Sequence, residues 1–201
     1  GAVVAVSQKG QLGNPDARVL FDASLSSGSL LNKYAVAVQG ISPGDTALMR
    51  FAFWEGLHNS MTSSGWEFIQ STPEEGVEFS GLSFVLRAGD VLPDYPLDGF
   101  RMCGEPAWGK LGLAIGKMRS IPVSIYLGRK FDANCPVLVV EDESNVVAVA
   151  AFCFDDAYRN ALRQLDQKLD VAVAAMDKPS FDPAHWQQVA AERYPHGLPK
   201  P

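Results

Sequence analysis

The sequence predicts a mainly β fold: a two-sheet antiparallel sandwich of jelly-roll-like form with a C-terminal helix. Three observations predict it. From Ala2 to Phe154 the chain is a series of short β-like runs broken by Gly, Pro, Asn, Asp and Ser clusters, with few apolar repeats at helical spacing. The runs are too many for one flat sheet, so two packed sheets are the economical arrangement. After Phe154 apolar residues recur every three or four positions, the spacing of a helix. The 201 residues, 47% of them hydrophobic, are enough to bury one core without disulfides or metals. The expected organisation is a β-sandwich domain over 1–154 with a helical extension over 155–201 packed on it.

The expected strands, in order, are Ala2 to Ser7, Ala17 to Asp22, Lys33 to Gln39, Thr46 to Trp54, Trp66 to Gln70, Gly76 to Arg87, Lys110 to Met118, Pro122 to Leu127, Val137 to Glu141 and Val146 to Phe154. Alternation puts Tyr34, Val36 and Val38 on one face, and Met49, Phe51 and Phe53 on another with Arg50 pointing away, as in a sheet with one wet side. Thr72-Pro73-Glu74-Glu75 has the form of a helix start. Gly76 and Gly81 would cost such a helix about 2 kcal/mol relative to alanine, which favours a strand entered through a Pro-containing turn. Pro93, Pro96 and Pro106, with turn residues Asp90, Asp94, Asp98 and Gly99, make Gly89 to Trp108 a long ordered loop or flap. Asp155 and Asp156 cap a helix in which Tyr158, Leu162, Leu165, Leu169 and Val173 share a face, about five turns long. Asp182-Pro183 starts a second short helix carrying Trp186 and Val189, and Pro195, Gly197, Pro199 and Pro201 leave a frayed tail.

Lys and Arg number 17 against 23 Asp and Glu, a net charge of -6 that opposes general polyanion binding. The charge is uneven. Arg101, Lys110, Lys117, Arg119, Arg129 and Lys130 face only Glu105 between residues 101 and 130, so that stretch is +5 and the remainder -11. Lys110, Lys117, Arg119, Arg129 and Lys130 are therefore candidates for a local nucleic-acid contact, with Trp108, Tyr126 and Phe131 available to stack on bases. A solvated basic face is the plainer account. Cys103, Cys135 and Cys153 form no spaced ligand set, and Cys153, in an apolar run, reads as a small buried hydrophobe. The cysteines read as reduced thiols in an intracellular (cytoplasmic) setting, and with no run of 18 apolar residues and no basic-then-apolar export signal no membrane partner is expected. Gly1 at the first position fits an expression scar, a trimmed chain or one released from a precursor by a protease.

No catalytic constellation emerges. Gly40-Ile41-Ser42-Pro43-Gly44 has the spacing of a nucleophile elbow, but Pro43 lacks the N–H that would help build the oxyanion hole. Gly112-Leu113-Ala114-Ile115-Gly116-Lys117 has three residues between its glycines where a phosphate loop has four, and Met118 replaces the magnesium-binding hydroxyl. Strand glycines at a close backbone approach account for it better. His58, His185 and His196 have no metal-ligand spacing. Glu55 and His58, with Ser60, Ser63 and Ser64, form the one loop where a base meets hydroxyls, and its plainer reading is a turn. Glu141-Asp142-Glu143 reads as the solvated tip of a hairpin rather than a cation site. The expectation is no enzyme, no cofactor and no metal.

The run Trp66-Glu67-Phe68-Ile69-Gln70-Ser71-Thr72-Pro73, continuing through Val77-Glu78-Phe79-Ser80-Gly81-Leu82-Ser83-Phe84, resembles the strand, Pro-turn, strand passages of plant picorna-like virus coat proteins. Val149-Ala150-Ala151-Phe152-Cys153-Phe154-Asp155 is similar to the late strand of their small subunit. The resemblance is to comovirus-like small coat proteins. It implies a structural capsid protein that self-assembles, or joins a larger partner coat subunit, in a virion, with Leu57, Tyr95, Phe100 and Trp108 as interface anchors. Two other readings stand beside it. One is a carbohydrate- or peptide-binding sandwich with Trp54, Trp66 and Trp108 as an aromatic platform. The other takes Thr72 as a true helix start, giving four strands and a helix twice over, similar to Whirly-type single-stranded nucleic-acid binders.

Overall fold

A computed structural model describes residues 5, 7–12, 29–44, 49–55, 65–87 and 99–201. Among these the strands are β1 (Ser29–Leu30), β2 (Ala35–Val38), β3 (Ser42–Pro43), β4 (Arg50–Ala52), β5 (Trp66–Gln70), β6 (Phe84–Arg87), β7 (Phe100–Arg101), β8 (Gly112–Ile115), β9 (Val123–Tyr126), β10 (Lys130–Phe131), β11 (Val137–Val140) and β12 (Ser180–Phe181). The helices are α1 (Gln8–Gln11), α2 (Val146–Cys153), α3 (Asp156–Leu165), α4 (Val173–Met176) and α5 (Pro183–Arg193). The molecule is mainly β, with several antiparallel sheets and a helical C-terminal part, as the sequence predicts. The expected strand at 17–22 and most of that at 2–7 lie outside the described residues, as do residues 46–48, 56–64 and 88–98.

The first sheet has the order β2-β11-β8-β9 and is antiparallel throughout. Its two faces follow from the period of two. Leu113, Ile115, Leu138 and Val140 point to one side, where they join Val149, Phe152, Tyr158, Phe181 and Trp186 in the main core. Ala114, Tyr126, Val137 and Val139 point to the other and pack with Ala107, Phe131 and Cys135. Val36 and Val38 share a face, but Tyr34 does not join them, because it ends a 3₁₀ turn and packs toward the helices. The free edge of β9 is covered by the segment after β5. The Ile125 amide donates to the Glu78 carbonyl (2.7 Å), and the Ser80 amide to the Ser124 hydroxyl (2.9 Å). Covering an edge in this way removes a template for unwanted pairing.

That cover corrects the expected long strand at 76–87. Gly76 and Gly81 both adopt positive φ, residues 71–83 contain no strand, and β6 begins only at Phe84. No helix follows Thr72 either, so the four-strands-and-helix repeat of the Whirly-like alternative lacks its first helix. A Cβ on Gly112 would lie 2.3 Å from the Leu138 carbonyl oxygen, the close approach expected of that strand glycine.

Val146 to Phe154, expected as a strand, is the buried helix α2. Apolar on every side, the run fits a buried strand or a buried helix equally well. Topology decides: β11 already has β2 on one side and β8 on the other, so no returning strand can pair with it. The acid cluster is accordingly a helix entry and not a hairpin tip. The Asp142 carboxylate accepts from the Ser144 amide at 2.9 Å and from Asn145 Nδ2 at 3.3 Å, starting a 3₁₀ turn that runs into α2. The helical part thus begins at Val146, ahead of the expected boundary at residue 155, and α2 packs against α5 in the main core.

The expected five-turn helix is α3 followed by α4. The Asp166 side chain accepts from the Lys168 amide (3.0 Å) and the Ala172 amide (2.9 Å), and this local turn competes with helix continuation. Leu169 is left 67% exposed. The last helix begins where Asp182-Pro183 places it, with the Asp182 carboxylate accepting from Ala184 and His185 amides. The tail beyond it is not frayed: Gly197 turns the chain at φ 82°, its amide donates to the Tyr194 carbonyl, and Leu198 packs against the main core.

Candidate functional site

The second sheet has the order β10-β5-β6-β4, antiparallel except for the parallel pair β10–β5. Phe51 lies opposite Val85, and Val85 opposite Phe68, so these residues and Trp66 share a face. Arg50, Ala52, Ile69, Phe84 and Leu86 occupy the other. Phe51 and Arg50 point to opposite sides as the sequence predicts, but the sense is inverted, the aromatic side being the partly open one and the Arg50 side buried; Met49, expected beside Phe51, precedes the strand and packs in the buried layer.

A carboxylate that the chain brings from far away causes the inversion. Asp132, 1% exposed, accepts from Arg50 at 2.5 Å and from the Ser71 hydroxyl at 2.6 Å, while the Asn134 amide occupies its second oxygen at 2.9 Å. Arg50 also lies 4.3 Å above the Phe84 ring. A buried ion pair is tolerated only when its remaining hydrogen-bonding groups are satisfied, as they are here. Ile41, Met49, Ile69 and Leu86 complete this layer, and Phe100 packs against it from the β3–β7 ribbon. Burial raises the Asp132 carboxyl above the ordinary carboxylate value, against the pull of Ser71 and Arg50.

On the open face Phe53 is 48% exposed, Trp54 64% and Phe68 44%. Phe51 meets Trp66 with ring centroids 5.4 Å apart, Phe53 meets Trp54 at 5.0 Å, and Phe53 reaches Phe68 at 6.3 Å. The Arg129 guanidinium stands 5.5 Å over Phe68 and pairs with no carboxylate among the described residues. Its loop is fixed from below. Gly128 has φ 82°, and a Cβ there would sit 2.8 Å from the Gly109 Cα, so only glycine fits. The Tyr126 hydroxyl donates to the Arg129 carbonyl, and burial holds that phenol well above its ordinary pKa, in its donor form. At the sheet edge Trp66, Phe68, Trp108, Arg129, Lys130 and Glu67 line a cleft of about 400 Å³. There Lys130 pairs with Glu67 at 2.8 Å and lies 5.2 Å over Trp108.

The structure divides the five basic candidates. Arg129 and Lys130 border the aromatic face, and Lys110 is exposed at the same end of the β8–β9 hairpin. Lys117 and Arg119 lie at the hairpin's other end, roughly 10–13 Å of strand away, and Lys117 is neutralised by Asp170 at 3.1 Å. The stacking trio is split as well, because Tyr126 and Phe131 are fully buried. Of the expected interface anchors, Leu57 and Tyr95 lie outside the described residues. Phe100 lies on the strand β7 rather than on a loop, half-buried against the Ile41, Met49, Ile69 and Leu86 layer. Trp108 is half-buried and reaches the edge cleft, where it joins Trp66, while Trp54 stands apart beside Phe53.

The Glu55 carboxylate accepts from the Ala52 amide at 3.0 Å and ties a turn; its expected partners His58, Ser60, Ser63 and Ser64 lie outside the described residues. His185 and His196 are exposed, and Cys153 is buried as the sequence predicts, with its thiol pushed far up by burial. Among the described residues no three His, Cys, Asp or Glu side chains cluster to hold a metal, and no helix is long and apolar enough to cross a membrane. No family model matches the chain, and no curated protein matches it at a significant level. Fold and site together define a β-rich protein with an open aromatic and cationic sheet face.

Proposed function

We propose that the protein is a non-enzymatic assembly subunit whose contact surface is the open aromatic face of the second sheet. One observation carries the reading: on one face of the second sheet Phe53 meets Trp54 and Phe68, Phe51 meets Trp66, and an arginine with no carboxylate partner among the described residues stacks on Phe68. Aromatic residues and Arg are the types enriched at the centres of protein interfaces, and exposed apolar patches on monomers mark contacts. A capsid subunit of the comovirus-like small coat type is the assembly this reading points to, with the cytoplasm or a virion as its setting. An RNA contact has weaker support, because Lys117 and Lys130 are already paired with acids.

Sedimentation velocity over a concentration series tests the reading. The expected result is association well beyond 21.7 kDa, abolished by Phe53→Asp with Phe68→Asp. A monomer at every concentration contradicts it. The open indole of Trp54 favours a second reading, a carbohydrate-binding platform. On that reading the chain stays monomeric and its tryptophan emission shifts when glycans are added.

A further inference from the structure

Among the described residues Arg129 lies on the aromatic rings without a carboxylate partner, while Glu67 is held by Lys130 and Glu55 accepts from the Ala52 amide, so the complement of this face is a surface that offers carboxylates beside an apolar side chain. The chain displays such a surface elsewhere. Residues 74–78, Glu-Glu-Gly-Val-Glu, are all exposed; Gly76 turns the backbone at φ 74°, and Val77 stands 40% exposed among the acids. Glu75 is held by Arg159 at 3.4 Å, whereas Glu74 and Glu78 have no cationic partner among the described residues. The Glu78 carbonyl accepts from β9, and the Glu74 amide donates to the Ser80 hydroxyl, so the tip is fixed in place. Two other exposed acidic segments fit less well. Residues 141–144 offer no apolar side chain, and around Leu169 the Asp170 and Asp166 carboxylates are occupied by Lys117 and by backbone amides.

Resting on the assembly reading, we infer that the acidic 74–78 tip of one copy docks on the aromatic face of the next, with Glu74 and Glu78 reaching Arg129 and Val77 seated among Phe53, Trp54 and Phe68. The two patches share no residue and belong to different elements. The contact therefore sets the tip of one copy against the face of another, either reciprocally in a two-fold dimer or head to tail in a ring or an open array. Arg suits this role because its planar fork can grip a carboxylate while its face stays on an aromatic ring.

Charge exchange on the full chain tests the inference. Glu74→Lys with Glu78→Lys should weaken self-association about tenfold, and adding Arg129→Glu should restore it, since exchanging both signs rebuilds the attraction. All three positions are exposed, and circular dichroism checks that each variant folds. Tip variants that assemble like the parent, while Phe53→Asp with Phe68→Asp does not, overturn the tip as occupant and leave the aromatic face standing. Weakening without rescue by Arg129→Glu also overturns the pairing. A parent chain that never associates overturns the assembly reading together with this inference.

Discussion

The two sheets have the same number of strands and are built on opposite plans. The first is apolar on both faces, with Leu113, Ile115, Leu138 and Val140 under the helices and Ala114, Val137 and Val139 against the second layer. The second hides an ion pair and shows aromatic rings to solvent. A sheet whose work is structural buries its large side chains; one that keeps rings outside forgoes that burial, about 1.5–3 kcal/mol for each large side chain. On the proposed reading, stability rests on the first sheet and contact on the second.

The sharpest way to break the comparison is at the buried carboxylate. Asp132→Ala strands Arg50 beside the Phe84 ring and should cost about 3–5 kcal/mol in chemical denaturation. Combined with Arg50→Met it should cost less than the two single losses together, because one interaction is removed twice. Full additivity would mean that the pair does not hold the inverted sheet. The pH dependence has a definite sign. The folded Asp132 carboxyl is raised, so its contribution is fully present below its ordinary value near 3.8 and is lost as pH rises through the folded value. Asp132→Asn should remove that slope.

Leu138→Ala, in the first sheet, should cost about 2–5 kcal/mol. Phe53→Ser with Phe68→Ser, in the second, should move stability by no more than about 1 kcal/mol for the two exposed positions together, while abolishing association. Equal losses at the two sites would erase the division of labour. The smallest expected effect is local. Backbone hydrogen bonds from Ala172 and Lys168 hold the Asp166 carboxyl below its ordinary value, so the 166–172 turn is fully held above about pH 4 and loosens as pH falls through the folded value. Faster exchange of the Lys168 and Ala172 amides in acid, absent at the Leu138 amide, is the expected signature.

Much of this fold was legible where one signal pointed one way. Trp66 to Gln70, a short aromatic-rich run set off by Gly65 and Pro73, is a strand at those residues, and Asp182-Pro183 starts a helix where its capping chemistry places it. Val146 to Phe154 was not legible, because an apolar run has no period and its state depends on whether β11 has a free edge. The site was half legible. Alternation placed Phe51 and Arg50 on opposite faces, but which face is buried depends on Asp132, 82 residues away along the chain. Arg129 and Lys130 stand out in the sequence only as charges; that Arg129 stacks on Phe68 follows from the parallel β10–β5 pair, which sets Lys130 beside Ile69.

The central claim is that the aromatic face is the contact surface, and hydroxyl-radical footprinting of the parent chain at low and high concentration tests it most directly. The account predicts that oxidation of Phe53, Trp54 and Phe68 falls as the chain associates, with Val77 falling alongside, while Leu169 and Met118, exposed elsewhere, do not change. Association that leaves Phe53, Trp54 and Phe68 as reactive as in the monomer would contradict it.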